Sequence, residues 1–505
     1  MAMPMAPSAG GDFGAVDFAT SCDPRVRDDF NAAVARLHSF EPAEDAFRKV
    51  AEHDPHCAMA WWGAAMSARG NPLTGELAED DRRQGLLLLA WTDGLDIKTP
   101  RERGYLGALR LYFRDYGAGG HAARTKAYEA AMEKLHRAWP DDAEATAFYG
   151  LAILEAVDLT DKTYARQLKA AAVLNELWRR RPDHPGAPHY LIHAYDYAPL
   201  ARRGLRAARR YAEIAPASVH ARHMPSHVFT MLGLWRESIA ANQSAAALVD
   251  PSSAPDTSER DTAFLHGFDF IEYARLQLAQ DRAVKADLDL IGSTQGRVAL
   301  FVARDALERG DWRAAAAAPT SPDSPLDDAF GRLARALGAA RLGDIAAARL
   351  EARALHDLRE PVRETENDYW AGLVDVYAAA ADAWLARAEG HNADAVALMA
   401  RSAKLDDARE KHINLENRLL PMRELYGELL LEVGRPAEAL TAFQTSLKSS
   451  PNRYRSLAGA ARATAALGQT KAADQWRRRV LDLTRDADTQ RPEMVAARAA
   501  LSETH

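Results

Sequence analysis

Two histidine pairs with the same internal spacing constrain this chain more than any other feature of its sequence. His189 and His193 form one HxxxH pair, and His223 and His227 form a second. Corresponding members of the two pairs are 34 residues apart, which is about the period of a common helical-hairpin repeat. The spacing therefore predicts that the two pairs occupy equivalent positions on adjacent repeat units.

The same period recurs elsewhere in the chain. Pro182 and Pro216 are 34 residues apart, and so are Gly434 and Gly468, each of which lies between two amphipathic helical patterns. Hydrophobic residues make up 48% of the chain, and the frequent Ala, Leu and Arg favour helix. We therefore predict an all-α fold, an α-solenoid of helical hairpins that stack into a superhelix because one hairpin alone cannot bury its apolar face.

The repeat units resemble tetratricopeptide repeats, most clearly in ELLLEVGRPAEALTAFQTSLKSSPN. The motifs HPGAPHYLIHAYD and HMPSH, together with TSCDPRVRDDFNAAVARLHSF, are similar to a family of bacterial tetratricopeptide-repeat proteins. The resemblance spans about residue 18 to about residue 470. It implies the fold and an often exported protein, and it assigns no reaction.

Composition and loop signals divide the chain into three parts. We predict a flexible N-terminal tail over 1–20, a tetratricopeptide-like solenoid that carries the histidines over 21–295, and a C-terminal solenoid over 296–505. The Pro- and Ser-rich segments 251–258 and 319–325 have the composition of loops.

A 34-residue grid laid on Pro182 and Pro216 assigns repeat positions to the histidines. In tetratricopeptide proteins, the resemblance implies, positions 2, 5, 9 and 12 of the first helix line the concave, ligand-binding surface. The residues at these positions are His220 at position 2, His189 and His223 at position 5, His193 and His227 at position 9, and Asp196 and Thr230 at position 12.

Histidines at i and i+4 lie on one helical face and can chelate a single ion. We therefore predict a transition-metal site on His189, His193, His223 and His227, with His220 one turn away on the same face. Nitrogen ligands without thiolate suit copper, iron or zinc. Four bound histidines would form a closed structural site, whereas three would leave a position open for chemistry.

Other residues are expected around this site or in the groove. Asp196 is either a partner that orients a ligand histidine or a solvated carboxylate at a helix end. His184 lies at the groove rim or serves as a turn residue, and His266 begins the next repeat and approaches His220. Trp62 falls at position 5, which permits a place in the groove or in the repeat core. His38 falls at a turn between two helices, which favours a structural role.

Charge and hydropathy limit the possible partners. The net charge of −7 and the lack of a basic stripe argue against nucleic acid, and no apolar run reaches the roughly 18 residues of a membrane span. The remaining ligands are a small molecule or peptide in the concave groove, with a protein partner also open. We expect a metal-dependent reaction, oxidative rather than hydrolytic, and the alternative is a metal-free scaffold for peptide or protein binding.

The two cysteines bear on the compartment. Cys22 and Cys57 are 35 residues apart, about one repeat, which predicts positions at the starts of neighbouring helices. They are either two reduced thiols or a disulfide, and a disulfide would indicate an oxidising compartment. The first residues, MAMPMAPSAGGDFGAV, lack a signal-peptide pattern. The expected location is cytoplasmic if the chain is complete as given, and periplasmic or secreted if a signal was removed.

Overall fold

The computed structural model describes residues 12–117, 120–249, 265–291, 298–413 and 415–503. These residues form α-helices joined mostly by short loops, and none of them lies in a β-strand. The protein is an all-α solenoid of tetratricopeptide-like helical hairpins, which confirms the predicted fold class.

The chain divides into two compact units. The N-terminal unit comprises the described residues of Met1–Phe229, Ala240–Phe268 and Lys411–Asn414. The C-terminal unit comprises those of Thr230–Ile239, Asp269–Glu410 and Leu415–His505.

The first part of the chain begins with a short 3-10 helix, Pro24–Val26, followed by regular helices. These are α1 (Arg27–His38), α2 (Glu44–His53), α3 (Ala58–Ser67), α4 (Glu79–Ala90), α5 (Pro100–Phe113), α6 (His121–Ala138), α7 (Ala143–Glu155), α8 (Ala165–Arg180), α9 (Gly186–Tyr195), α10 (Ala201–Ile214), α11 (Val219–His223), α12 (Pro225–Met231) and α13 (Trp235–Ala246).

Successive helices of this part pair as hairpins, α5 with α6, α7 with α8, and α9 with α10. The first helices of neighbouring hairpins also pack together, as α7 does with α9. Helix α1 contacts α9 although more than 140 residues separate them. The start of the chain therefore packs against the helix that carries the first histidine pair.

The rest of the chain continues the helical pattern. Its helices are α14 (Gly267–Gln277), α15 (Asp281–Ile291), α16 (Val298–Arg309), α17 (Trp312–Ala316), α18 (Pro325–Leu342), α19 (Ile345–Asp357), α20 (Arg359–Thr365), α21 (Asp368–Ala388), α22 (Asn392–Asp407), α23 (Met422–Glu432), α24 (Pro436–Ser449), α25 (Tyr454–Ala466), α26 (Thr470–Leu483) and α27 (Pro492–Ser502).

Glycine ends the first helix of two successive hairpins in the C-terminal unit. Gly434 follows α23 with φ of 76°, and Gly468 follows α25 with φ of 72°. Left-handed backbone of this kind carries little penalty for glycine, and it turns the chain back on itself at a helix C-terminus. The 34-residue glycine spacing thus has a structural cause.

The interior of the C-terminal unit contains buried ion pairs. The Arg453 guanidinium is fully buried and lies 2.6 Å from Glu308 and 2.5 Å from Glu424. Arg304, also fully buried, contacts Asp269 at 2.6 Å and Glu272 at 2.5 Å. Removing one partner from such a pair leaves an uncompensated charge, so these networks specify how the helices pack.

The structure places a disulfide between Cys22 and Cys57, with the Cα atoms 4.7 Å apart. Cys22 precedes the 3-10 helix and Cys57 caps the start of α3. The closed loop contains α1, α2 and the turn between them.

Two of the expected loop segments have different outcomes. Residues 319–324 form a loop that leads into α18, whereas 251–258 lie outside the described residues, as does the expected boundary at 295. Among the described helices, none has the length and apolar character needed to cross a membrane.

We predict that the Cys22→Ser/Cys57→Ser variant loses stability in the N-terminal unit. Freeing a 35-residue loop gives the unfolded chain more entropy, which lowers the free energy of unfolding by about 4 kcal/mol. Urea unfolding of oxidised protein, reduced protein and the double variant measures the effect. Reduction should destabilise only the wild type, and equal stability of all three would contradict the prediction.

Candidate metal centre

The structure gathers six histidines into two groups of three. Trio A consists of His189, His193 and His220, and trio B consists of His223, His227 and His266. Within each trio, one ring nitrogen of every member lies within 4.8 Å of the others. Such spacing allows the three nitrogens to share one ion.

Trio A is centred on His189. Its Nε2 lies 3.1 Å from Nε2 of His193, one turn along α9, and 3.0 Å from Nε2 of His220 on α11. The 189/193 pair follows from helical periodicity. The third member comes from the neighbouring repeat, as the repeat grid predicts.

Trio B spans a break in the second repeat. His223 ends α11, and Pro225, which lacks a backbone N–H, begins α12, which carries His227. The Nε2 atoms of His223 and His227 are 3.0 Å apart. His266, just before α14, completes the trio, with its ring centre 4.7 Å from that of His223 and 5.7 Å from that of His227.

The two trios adjoin each other. Ring centres of His193 and His227 are 6.2 Å apart, as are those of His220 and His223. Within trio A, His193 and His220 are equally far apart, at 6.3 Å. The predicted single set of four histidines plus His220 is therefore arranged as two sets of three, and His266 lies with trio B.

Oxygen acceptors fix the orientation of three rings. Nδ1 of His189 donates to the backbone carbonyl of His38 at 2.5 Å, and Nδ1 of His223 donates to Oδ1 of Asn242 at 2.6 Å. Nδ1 of His227 donates to Oδ2 of Asp196 at 2.8 Å. Because a neutral imidazole has one N–H, each ring turns an Nε2 lone pair into its trio.

Burial keeps the rings neutral. Loss of hydration lowers the pKa of His189, His193, His220 and His227 well below the ordinary histidine value, and neighbouring histidines lower it further. In trio B, two Nε2 lone pairs consequently face each other at 3.0 Å. Two lone pairs at this distance repel unless a cation lies between them.

A turn between α1 and α2 supports trio A. Phe40 adopts left-handed backbone, with φ of 54°, which is unusual for a bulky residue. Its ring centre lies 4.5 Å from that of His189 and 5.5 Å from that of His220. Strained backbone at such a place is a mark of functional sites. The next residue, Glu41, accepts a 2.6 Å hydrogen bond from the Ser218 hydroxyl at the start of α11.

Asp196 occupies the place expected of an orienting carboxylate. Besides accepting from His227, its Oδ2 lies 2.5 Å from the Lys411 ammonium. Burial raises the pKa of Asp196, and Lys411 opposes that shift. The carboxylate thus holds one histidine of trio B with a lysine as its counter-ion.

His184 lies in a separate buried cluster with His38. Two oxygens of Glu144 contact the Nε2 atoms of His38 at 2.5 Å and of His184 at 3.0 Å. Burial opposes ionisation of Glu144, but His184 and His38 bring its pKa below the ordinary value. A Cβ on Gly186 would lie 2.6 Å from Nδ1 of His38, so only glycine permits this approach. The cluster positions His38, whose carbonyl anchors His189.

Trp62 lies in the core of the N-terminal unit and is 1% exposed. Its neighbours are the rings of Phe18, Tyr105 and Phe148, with centres 5.4–5.6 Å away. Of the two places that the sequence permits, the structure gives the core and not the groove, because the ring fills the space between packed helices.

Several residues of the site carry no sequence signal. Phe40, Glu41, Asn242 and Lys411 contact the histidines or their partners. Their contacts depend on which distant segments pack together, and the contact from His38 to His189 spans 151 residues. No spacing rule connects such positions.

A cavity of about 560 Å³ adjoins trio A through Phe40, whose ring contacts the histidines and also lines the cavity wall. Leu37, Met66 and Phe148 provide apolar walls, and Glu41 is a polar wall residue. The volume suits a small molecule.

Comparison with known proteins adds little beyond the fold. No family model and no curated protein matches the chain. Among solved structures, the tetratricopeptide domain of P58(IPK) is 14% identical, with 72% of this chain and 99% of that chain covered and a TM-score of 0.22. The human IFIT1 dimer with m7Gppp-AAAA and a monomeric IFIT1 mutant with Gppp-AAAA are each 11% identical, covering 92% of this chain and 96% of theirs, with a TM-score of 0.36. These likenesses are to helical-repeat proteins and say nothing about the ligand of the histidine trios.

Proposed function

We propose that this protein binds transition-metal ions on its histidine trios. The observation that carries the proposal is the direction of the rings. In His189, His223 and His227 the Nδ1–H is held by an oxygen acceptor, and the Nε2 lone pair faces other histidine nitrogens. Metal-binding histidines are oriented by second partners in this way.

The donors select the kind of metal. Each trio offers neutral imidazole nitrogens, which suit copper, iron or zinc. Burial lowers the pKa of His189, His193, His220 and His227, so little proton release is needed before an ion binds at neutral pH. We extend the proposal to the motifs HPGAPHYLIHAYD and HMPSH, which carry five of the six ligands or adjoin them.

Three ligands leave a position open on a four-coordinate ion. An open position allows a metal to bind and activate a small molecule. The cavity beside Phe40 supplies room for an organic substrate near trio A. We favour oxidative over hydrolytic chemistry because neutral imidazoles support an ion that changes its charge, and because Asp196 is ion-paired with Lys411 instead of poised as a free base.

We expect protein purified without added metal to contain copper, iron or zinc, or to take it up from solution. Replacing the four histidines of the two HxxxH pairs by glutamine should abolish binding, because it removes the chelating nitrogens while keeping polar side chains of similar size. Elemental analysis after gel filtration measures the metal, and circular dichroism checks that the variant is folded.

The matched control replaces two histidines outside the trios. His356 and His391 are 57% and 63% exposed and belong to the C-terminal unit. The His356→Gln/His391→Gln variant should keep its full metal content. Equal metal in the four-fold variant and the wild type, or no uptake by wild type after reconstitution, would overturn the proposal and favour a metal-free binding scaffold.

A second prediction concerns the acceptor of His223. Asn242→Leu removes the Oδ1 acceptor at nearly constant volume, so the His223 ring loses its fixed tautomer. Metal affinity should fall by about 10- to 100-fold, as measured by competition with a chromophoric chelator. Asn175→Leu, which alters an amide bonded to Ala171 and Tyr195 on the α8 side, serves as the control. Equal affinities for both variants would show that Asn242 does not orient a ligand.

A further inference from the structure

We propose that the trios hold two copper ions side by side, one on each trio, and that dioxygen binds between them. This inference rests on the proposed metal-binding function and deepens it. It goes further in fixing the number of ions, the metal and the diatomic ligand.

The geometry of trio A is that of a ligand set for one ion. Nitrogens bound to a tetrahedral ion at about 2.0–2.1 Å lie roughly 3.3 Å from one another. The printed Nε2 separations in trio A are 3.0 and 3.1 Å, and the corresponding pair in trio B is 3.0 Å apart. Small ring movements therefore suffice for binding.

Six nitrogens in two sets exceed what one four-coordinate ion can use. One ion on trio A would leave the inward-facing lone pairs of His223 and His227 unneutralised. A second ion on trio B removes that repulsion. The structure thus gives each trio its own reason to bind a cation.

The trios are close enough for their ions to act together. The contacts between them, His193 to His227 and His220 to His223, are as short as the longest ring separation within trio A. Metal ions that share a reacting ligand lie about 3.5–4 Å apart. Ions on adjacent three-histidine sets, each with an open position facing the other, meet this requirement.

Copper fits this site because Cu(I) is stable with three neutral nitrogen ligands and can lose one electron. Two Cu(I) ions give one electron each to dioxygen, which becomes peroxide bound to two Cu(II) ions. Both oxygen atoms stay in the complex, no proton is consumed, and release of dioxygen returns both electrons. The buried histidines and the Phe40 ring limit the access of water that would protonate the bound oxygen.

The test uses the full chain, stripped of metal and loaded with Cu(I) under argon. We expect two copper ions per chain, uptake of one dioxygen per two coppers, and a charge-transfer absorption that disappears when argon removes the gas. The oxygenated protein should show almost no Cu(II) electron paramagnetic resonance signal, since bridged Cu(II) ions couple.

One substitution in each trio separates the two ions. His220→Asn and His266→Asn alter the half-buried member of trio A and of trio B, which limits damage to folding. Each variant should lose about half of the copper and all dioxygen uptake, and after oxidation its remaining copper should give a normal Cu(II) signal. His136→Asn, a half-buried histidine bonded to Thr146 outside both trios, should behave as wild type.

Failure of this inference differs from failure of the proposed function. One metal ion per chain, lost equally in both variants, would keep the metal site and overturn the pair. Two ions that stay magnetically independent and take up no dioxygen, or two zinc ions with copper refused, would overturn the dioxygen inference. No metal of any kind would overturn both proposals.

Discussion

The hydrogen bond from Nδ1 of His189 to the carbonyl of His38 is the contact on which the histidine centre depends. It fixes the tautomer and direction of the ring at the centre of trio A. The carbonyl is itself held, because the His38 side chain is anchored by Glu144 and Tyr190 in a buried network. A catalytic or binding ring is thus positioned by backbone, and the backbone by a second layer of polar side chains.

Repetition explains why the histidines meet. Equivalent positions on successive hairpins stack, so one HxxxH pair per hairpin becomes a cluster without any long-range coding. Small departures from the repeat then shape the cluster. Pro225 interrupts the second histidine helix, and His266 is brought to trio B from beyond residue 249. These departures turn a stack of four rings into two groups of three.

Sequence reasoning reached the fold and the identity of the central histidines because both depend on a period of 34 residues. It did not reach the division into trios, which depends on ring orientation. It also did not reach Phe40 or Asn242, whose contacts arise from packing between segments with no common period. Trp62 shows the converse limit, since a repeat position alone does not determine whether a side chain faces a groove or a core.

The disulfide has a consequence that reaches beyond stability. The loop that it closes contains His38 and Phe40, the residues that hold trio A in place. Any ligand that orders trio A therefore favours the packed form of that loop, and the closed loop favours the ligand by the same free energy, because coupling between two sites is reciprocal. Oxidation of two sulfur atoms and occupation of three imidazoles are linked equilibria, so a reducing environment would loosen a ligand that never touches the cysteines.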